Sequence, residues 1–277
     1  MAVPYRGPNR YRTLLKAGRS ITGRIARLGG VVGVLGTGAL GRRFADRHSD
    51  LDLTVYAQAQ AVRRLRRLIS IGWISCKGVG FDIEVVPFER AQKAGVPSGF
   101  WTQVRRWDHQ NSQILHDSRG RIEKLLAEKL VYPDAEQKRL LARYRGEVHE
   151  HLVFYPELWA ERGQLYNVID ALVGAVKNIT LWIYAKNRVF EPYAPKWLFY
   201  HLENRAVPEH VHLKTLTSVY RRRVTTMAHA MRIRDDLLKL CERIGLGWDV
   251  YSAAEAHARA VRNWAKVAAE SRQLLSW

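Results

Sequence analysis

Four carboxylates in two short runs are the residues of this 277-residue chain best spaced for chemistry. The run SDLDLTVY puts Asp50 and Asp52 two residues apart at the mouth of an apolar stretch, and FDIEVVPFE places Asp82 and Glu84 in the same way. Side chains along a strand alternate faces, so Asp50 and Asp52 project to one side while Leu51 and Leu53 enter the core. Asp82 and Glu84 share a face for the same reason, with Phe81, Ile83 and Val85 on the other. Carboxylates one strand period apart suit magnesium, which takes oxygen ligands and is commonly held by one or two carboxylates plus substrate phosphates. The pattern describes a two-metal phosphoryl-transfer site, with either Asp82 or Glu84 as its third acid.

A glycine turn precedes these acids. Residues 36–41 read GTGALG behind the apolar run VVGVL. Taken alone, G-x-G-x-x-G after a strand is a dinucleotide-binding fingerprint. That reading needs a full crossover helix, a second strand, and an acid at the strand's far end. Only RRFADRHS separates Gly41 from Asp50, and the acids open the strand instead of closing it, which argues against a nicotinamide enzyme. The same turn can instead present N–H groups and a helix dipole to a triphosphate through Gly36, Thr37 and Gly38, with the Thr37 hydroxyl as an added donor. Arg42 and Arg43 follow, placed to neutralise phosphate charge.

The elements that must position these residues are legible from periodicity. Residues 11–28 and 58–70 have helical spacing, and 31–35, 51–56, 80–88 and 112–117 read as strands, with a helix near 100–110. From about residue 119 the pattern becomes helical: 119–131, 135–152, 157–187, 195–205, 209–244 and 252–275, with Pro156, Pro192, Pro195 and Pro208 as boundaries. The expected class is α+β: an N-terminal α/β domain with a small mixed sheet over 1–118, then an all-helical domain over 119–277.

A net charge of +19 favours an anionic partner such as nucleic acid or nucleotide. Arg63, Arg64, Arg66 and Arg67 form the polar face of their helix, open to solvent or RNA. Phe100, Trp101 and Trp107 have the helical spacing of core aromatics, although beside Arg105 and Arg106 they also resemble a base-stacking surface. His149 and His151 point apart on a helix, and Cys76 and Cys241 lack metal-ligand spacing, so neither pair reads as a zinc site. The N-terminus has no signal-peptide core, and the most apolar stretch, 165–185, is interrupted by Asp170, Lys177 and Asn178. The expectation is a cytoplasmic protein with no membrane partner.

The sequence resembles the nucleotidyltransferase superfamily that includes DNA polymerase beta, in particular its small bacterial antibiotic-modifying branch. That family carries a G-S turn, often G-S-x-A-x-G, a D-x-D pair on the next strand and a later acid on a third. The matching residues are Gly36 to Gly41, with threonine for serine at Thr37, then Asp50, Leu51 and Asp52, then Ile83, Glu84 and Val85. The resemblance implies two magnesium ions on Asp50, Asp52 and Glu84, a nucleoside triphosphate (ATP first) on Gly36 and Thr37, and Glu84 ahead of Asp82 as general base. A second segment, 186–203, resembles part of the family's helical domain and brings Lys196 toward the triphosphate or acceptor. The implied reaction moves a nucleoside monophosphate to an acceptor hydroxyl on RNA or on a small molecule such as an aminoglycoside or lincosamide. A non-catalytic module of the same fold that binds nucleic acid or a partner protein is the alternative.

Overall fold

Alternation of apolar and polar residues builds a four-stranded mixed sheet in a computed structural model describing residues 8–70, 79–193, 197–221 and 223–247. The strands are β1 (Val31–Gly36), β2 (Leu51–Ala57), β3 (Phe81–Pro87) and β4 (Gln113–Asp117), in the order β3-β2-β1-β4. β1 runs antiparallel to both β2 and β4, and β2 runs parallel to β3. Parallel neighbours need a crossover, which α3 (Ala59–Ser70) supplies. The expected α+β class with a small mixed sheet holds.

One sheet face is sealed by α1 (Tyr11–Ile25) and α3. Leu14, Ile21 and Ile25 of α1 join Val62 and Leu65 of α3 over Leu51, Leu53, Val55 and Val85. On the other face, α4 (Phe88–Lys93) and α6 (Arg121–Lys129) pack Phe88, Ile122 and Leu125 with Leu35, Tyr56, Val86 and Trp101. A one-turn helix α2 (Gly38–Gly41) follows β1, and α5 (Gln103–Gln110) precedes β4. Thr102 caps α5 by accepting from the Arg105 N–H at 3.1 Å, and both Asp117 oxygens accept N–H bonds from the first turn of α6.

The chain divides into two compact units, Met1–Lys138 with Asn187–Leu198, and Arg139–Lys186 with Phe199–Trp277. The first reaches beyond the expected boundary at 118 because Ile122, Leu125 and Leu126 are part of the sheet's own core. It also reclaims 187–198 through side-chain contacts. Arg106 of α5 is fully buried, pairs with Glu136 at 2.6 Å, and lies over the Phe190 ring, which stacks on Tyr132. Trp101 and Trp107 are buried, in agreement with the core reading.

In the second unit α7 (Asp134–His149) enters from the first, and a π-turn (Glu150–Phe154) leads to α8 (Tyr155–Glu161). These are followed by α9 (Leu165–Lys186), α10 (Tyr200–Glu203), α11 (Leu213–Leu216), α12 (Ser218–Arg221) and α13 (Met227–Ile244). The helix expected over 157–187 is interrupted at Gly163, whose φ of +68° suits glycine. That expected over 209–244 breaks into a short 3₁₀ turn and three helices, and only Tyr200–Glu203 of 195–205 is helical among the described residues. The helix expected over 252–275, like Cys76, lies outside the described residues. By length and composition α9 could cross a membrane, contrary to the sequence reading, but 67% of its apolar window is buried inside the protein. It is the core helix of this unit, carrying Leu172, Val176, Ile179 and Ile183.

The Arg106–Glu136 pair generates a stability prediction, because removing one partner strands a buried charge. Glu136→Ala should cost about 3–5 kcal/mol by urea unfolding, whereas a surface change such as Glu123→Ala stays within about 0.5 kcal/mol.

Candidate active site

The parallel register pairs Asp52 with Asp82 and Thr54 with Glu84. Leu51, Leu53, Val55 and Val85 are taken up by the α1–α3 core, so Asp52, Thr54, Asp82 and Glu84 share the opposite face. That face opens into a cleft of about 650 Å³ which Asp50 also lines. The four carboxylates selected from the sequence therefore converge on one cavity. Asp82 occupies the rung of Asp52, and Glu84 lies one step further along β3.

The glycine turn is tied to this face by backbone. Thr37 N–H donates to the Asp52 carbonyl at 3.0 Å, and Thr37 is buried at the start of α2. Gly38 has φ +50°, and a Cβ there would sit 1.7 Å from Asp52 Oδ2. No side chain fits between turn and carboxylate. Gly41 serves packing: its Cβ would fall 2.7 Å from the Asn111 carbonyl oxygen. With only four residues, α2 contributes little macrodipole. What the turn offers is close backbone approach, and part of that is already engaged, since the Ala39 N–H bonds the Asp52 carboxylate.

Of the two arginines after the turn, Arg42 lines the cleft and stacks over Trp197, 3.5 Å from the ring centroid. Arg43 is exposed and is not among the lining residues. Lys196 lies outside the described residues.

Helix α5 supplies groups that sequence reasoning did not select. Arg105 grips both oxygens of Glu84, at 3.0 and 2.8 Å, while lying over the Phe100 ring. Glu84 is thus held by a cation, while Asp82 shares the rung of Asp52. Asp108 lines the same cleft. Beneath them His109 is buried, with Nδ1 2.8 Å from the Arg105 carbonyl and Nε2 2.6 Å from the Tyr56 hydroxyl. Burial pulls His109 down to about 4, with nearby Arg105 adding to the effect. It is neutral, donates through Nδ1 and accepts the Tyr56 hydroxyl at Nε2, and so pins α5 to β2. Arg105, Asp108 and His109 are spaced i, i+3, i+4, a shared helix face that the sequence could have disclosed.

Six carboxylates line the cleft (Asp46, Asp50, Asp52, Asp82, Glu84 and Asp108) against two guanidiniums, Arg42 and Arg105. Its formal charge is −4, inside a chain of +19. Burial is the main cause raising Asp52 to about 6; Asp50 and Asp82 also raise it, and Arg42 opposes them. Asp108 is raised to about 6, again first by burial. An all-oxygen, mutually repelling donor set fits a hard divalent cation. No three acidic, histidine or cysteine side chains among the described residues already stand at ligand spacing, so these carboxylates would have to draw together on an ion.

A family model described as a domain of unknown function, DUF4037, matches residues 103–198, which include α5 and the Tyr193–Trp197 side of the cleft. No curated protein matches the chain. Its structure is similar to that of a nucleotidyltransferase-like protein from Exiguobacterium sibiricum, with 10% identity over 82% of this chain and 74% of that one. The TM-score is 0.46.

The raised Asp52 has a signed consequence for stability. The folded chain holds this proton between roughly pH 4 and 6 while the unfolded chain, with a value of 3.8, has lost it. Stability therefore falls as pH rises through that window, and the deficit persists above it. Without metal, Asp52→Asn should raise Tm by about 2–5 °C near pH 7.5, a gain that vanishes below about pH 4. Calorimetry across that range tests it, and an equal gain at both ends would contradict the assignment.

Proposed function

We propose that the protein is a metal-dependent nucleotidyltransferase, moving a nucleoside monophosphate from a nucleoside triphosphate (ATP first) to an acceptor hydroxyl and releasing pyrophosphate. The observation that carries this is the single cleft face bearing Asp50, Asp52 and Asp82, with the Gly36–Gly38 turn tied to Asp52. Asp50, Asp52 and Asp82 would hold two magnesium ions, whose chemistry there is to neutralise the triphosphate and acidify the acceptor hydroxyl. Gly36, Thr37 and Gly38 bring the backbone close to the phosphates, and Arg42 adds a cation on the same side.

In the reaction the acceptor oxygen bonds to the α-phosphorus as the bond from that phosphorus to the bridging oxygen breaks, and pyrophosphate departs with the electron pair. The acceptor proton passes to a carboxylate facing the cleft. Glu84 can take it only when Arg105 has let go. His109 and Tyr56 hold α5 in place and keep Arg105 and Asp108 over the reacting groups.

The −4 cleft bears on the acceptor. Two divalent cations and a fully ionised triphosphate cancel, so the acidic balance persists in the loaded site. A polycationic small molecule, such as an aminoglycoside, meets no electrostatic objection there. The case for RNA rests on surfaces outside the cleft. The non-catalytic alternative loses support from the same geometry, since a pure binding module has no need for carboxylates gathered on one cleft face.

The decisive assay supplies each α-labelled nucleoside triphosphate with magnesium and either total RNA or an aminoglycoside panel. Label should enter one acceptor pool with release of pyrophosphate. Asp52→Ala and Asp82→Ala should each lower transfer at least about 100-fold, with unchanged circular dichroism. Full activity in Asp52→Ala would overturn the reading, and label in neither pool would favour the binding module.

A further inference from the structure

The chain's positive charge is not spread evenly over the sheet unit. Residues 1–45 contain no aspartate or glutamate, and neither do residues 53–81. Within these two acid-free stretches lie α1 and α3, which cover the same sheet face. Their exposed positions hold Arg12, Lys16, Arg19 and Arg24 on α1, and Arg63, Arg64, Arg66 and Arg67 on α3. Arg12, Lys16 and Arg19 stand at i, i+4 and i+7, one stripe of the helix. Arg64 donates to the Gly29 carbonyl at 2.6 Å, so α3 adjoins the turn that ends α1. Arg12, Lys16, Arg19, Arg63 and Arg67 enter none of the ion pairs among the described residues. An acid does reach this layer at the first residue of α3, where Glu89 accepts from the Ala59 N–H.

The opposite face is different in kind. There α6 mixes Arg121, Lys124 and Lys129 with Glu123 and Glu128, and the cleft carboxylates point to that side. The sheet separates an acidic reaction face from a basic back. The basic layer also reaches the cleft rim. Arg10 N–H donates to the Ala45 carbonyl, and Asn9 bonds the backbone of Arg43 and Ala45. Arg43 and Arg47 are exposed on this loop, whose Phe44, Asp46 and His48 line the cleft.

We propose that the α1–α3 layer is an RNA-docking surface that carries the acceptor strand past Arg43 and Arg47 to the cleft. The acceptor role rests on the transferase reading; the binding does not. Eight cations without an intervening acid suit a phosphate backbone, which is recognised by charge. The apolar sides of both helices are consumed by the core, and none of the exposed large hydrophobics lies on either helix, so the layer lacks what a membrane-surface helix inserts. RNA also carries a free 2′-hydroxyl on every nucleotide, so acceptor chemistry is present along the strand. At about 1.5 Å per residue α1 is roughly 22 Å long, enough to follow several phosphates of a strand.

The test measures binding of a fluorescent RNA of about 25 nucleotides to the full chain by anisotropy, across a salt series. Combined Arg12→Ala, Arg19→Ala, Arg63→Ala and Arg67→Ala should weaken binding at least tenfold and flatten the log–log salt slope by about 3. Lys124→Ala with Lys129→Ala, on the mixed-charge face, should leave both unchanged. RNA binding that survives the fourfold change overturns the docking surface, as does retention on phosphatidylserine vesicles with none on RNA. Binding through the layer with no label transferred under any nucleotide keeps the surface and sinks the transferase reading. Label transferred equally well by the fourfold variant does the reverse.

Discussion

The parallel pairing of β2 with β3 is the constraint on which the rest depends. It places Asp52 opposite Asp82, and it holds because Leu51, Leu53, Val55, Ile83 and Val85 have a core to fill on the other side. A slip of one residue in β3 would turn Asp82 and Glu84 into that core and push Phe81, Ile83 and Val85 into the cleft. The apolar residues thus fix the chemistry without taking part in it. Parallel pairing also demands a crossover helix, and α3, which meets that demand, brings four arginines to the outside of the molecule.

Where a residue's role follows from chain-local geometry, the sequence was a good guide. Period-two alternation located the strands and the carboxylate face. It was a poor guide where position depends on partners distant in the chain. RRWDHQ reads as an aromatic amphipathic helix, and it is the Tyr56 hydroxyl, 53 residues away, that turns Arg105 and Asp108 over the cleft. Asp82 and Glu84 share a face of one strand, and only the fold shows that Arg105 pairs with Glu84. The return of 187–198 to the first unit rests on Phe190 meeting Arg106 and Tyr132, contacts with no local signature.

Net charge was the property most open to misreading. A total of +19 says nothing about where a substrate sits, since the cleft has the opposite sign. The sheet keeps the two signs apart, with apolar layers packed on both faces. Carboxylates that repel one another on one side are therefore not quenched by the arginines on the other. A basic surface and an acidic cleft can coexist in a unit of this size for that reason.

Arg105 and Glu84 form an internal competitor. An incoming phosphate that recruits the guanidinium must first displace the carboxylate that it grips. The displaced carboxylate is left without its cation at the moment the phosphate arrives. A site that takes up an anion through Arg105 thus uncovers a carboxylate as it fills.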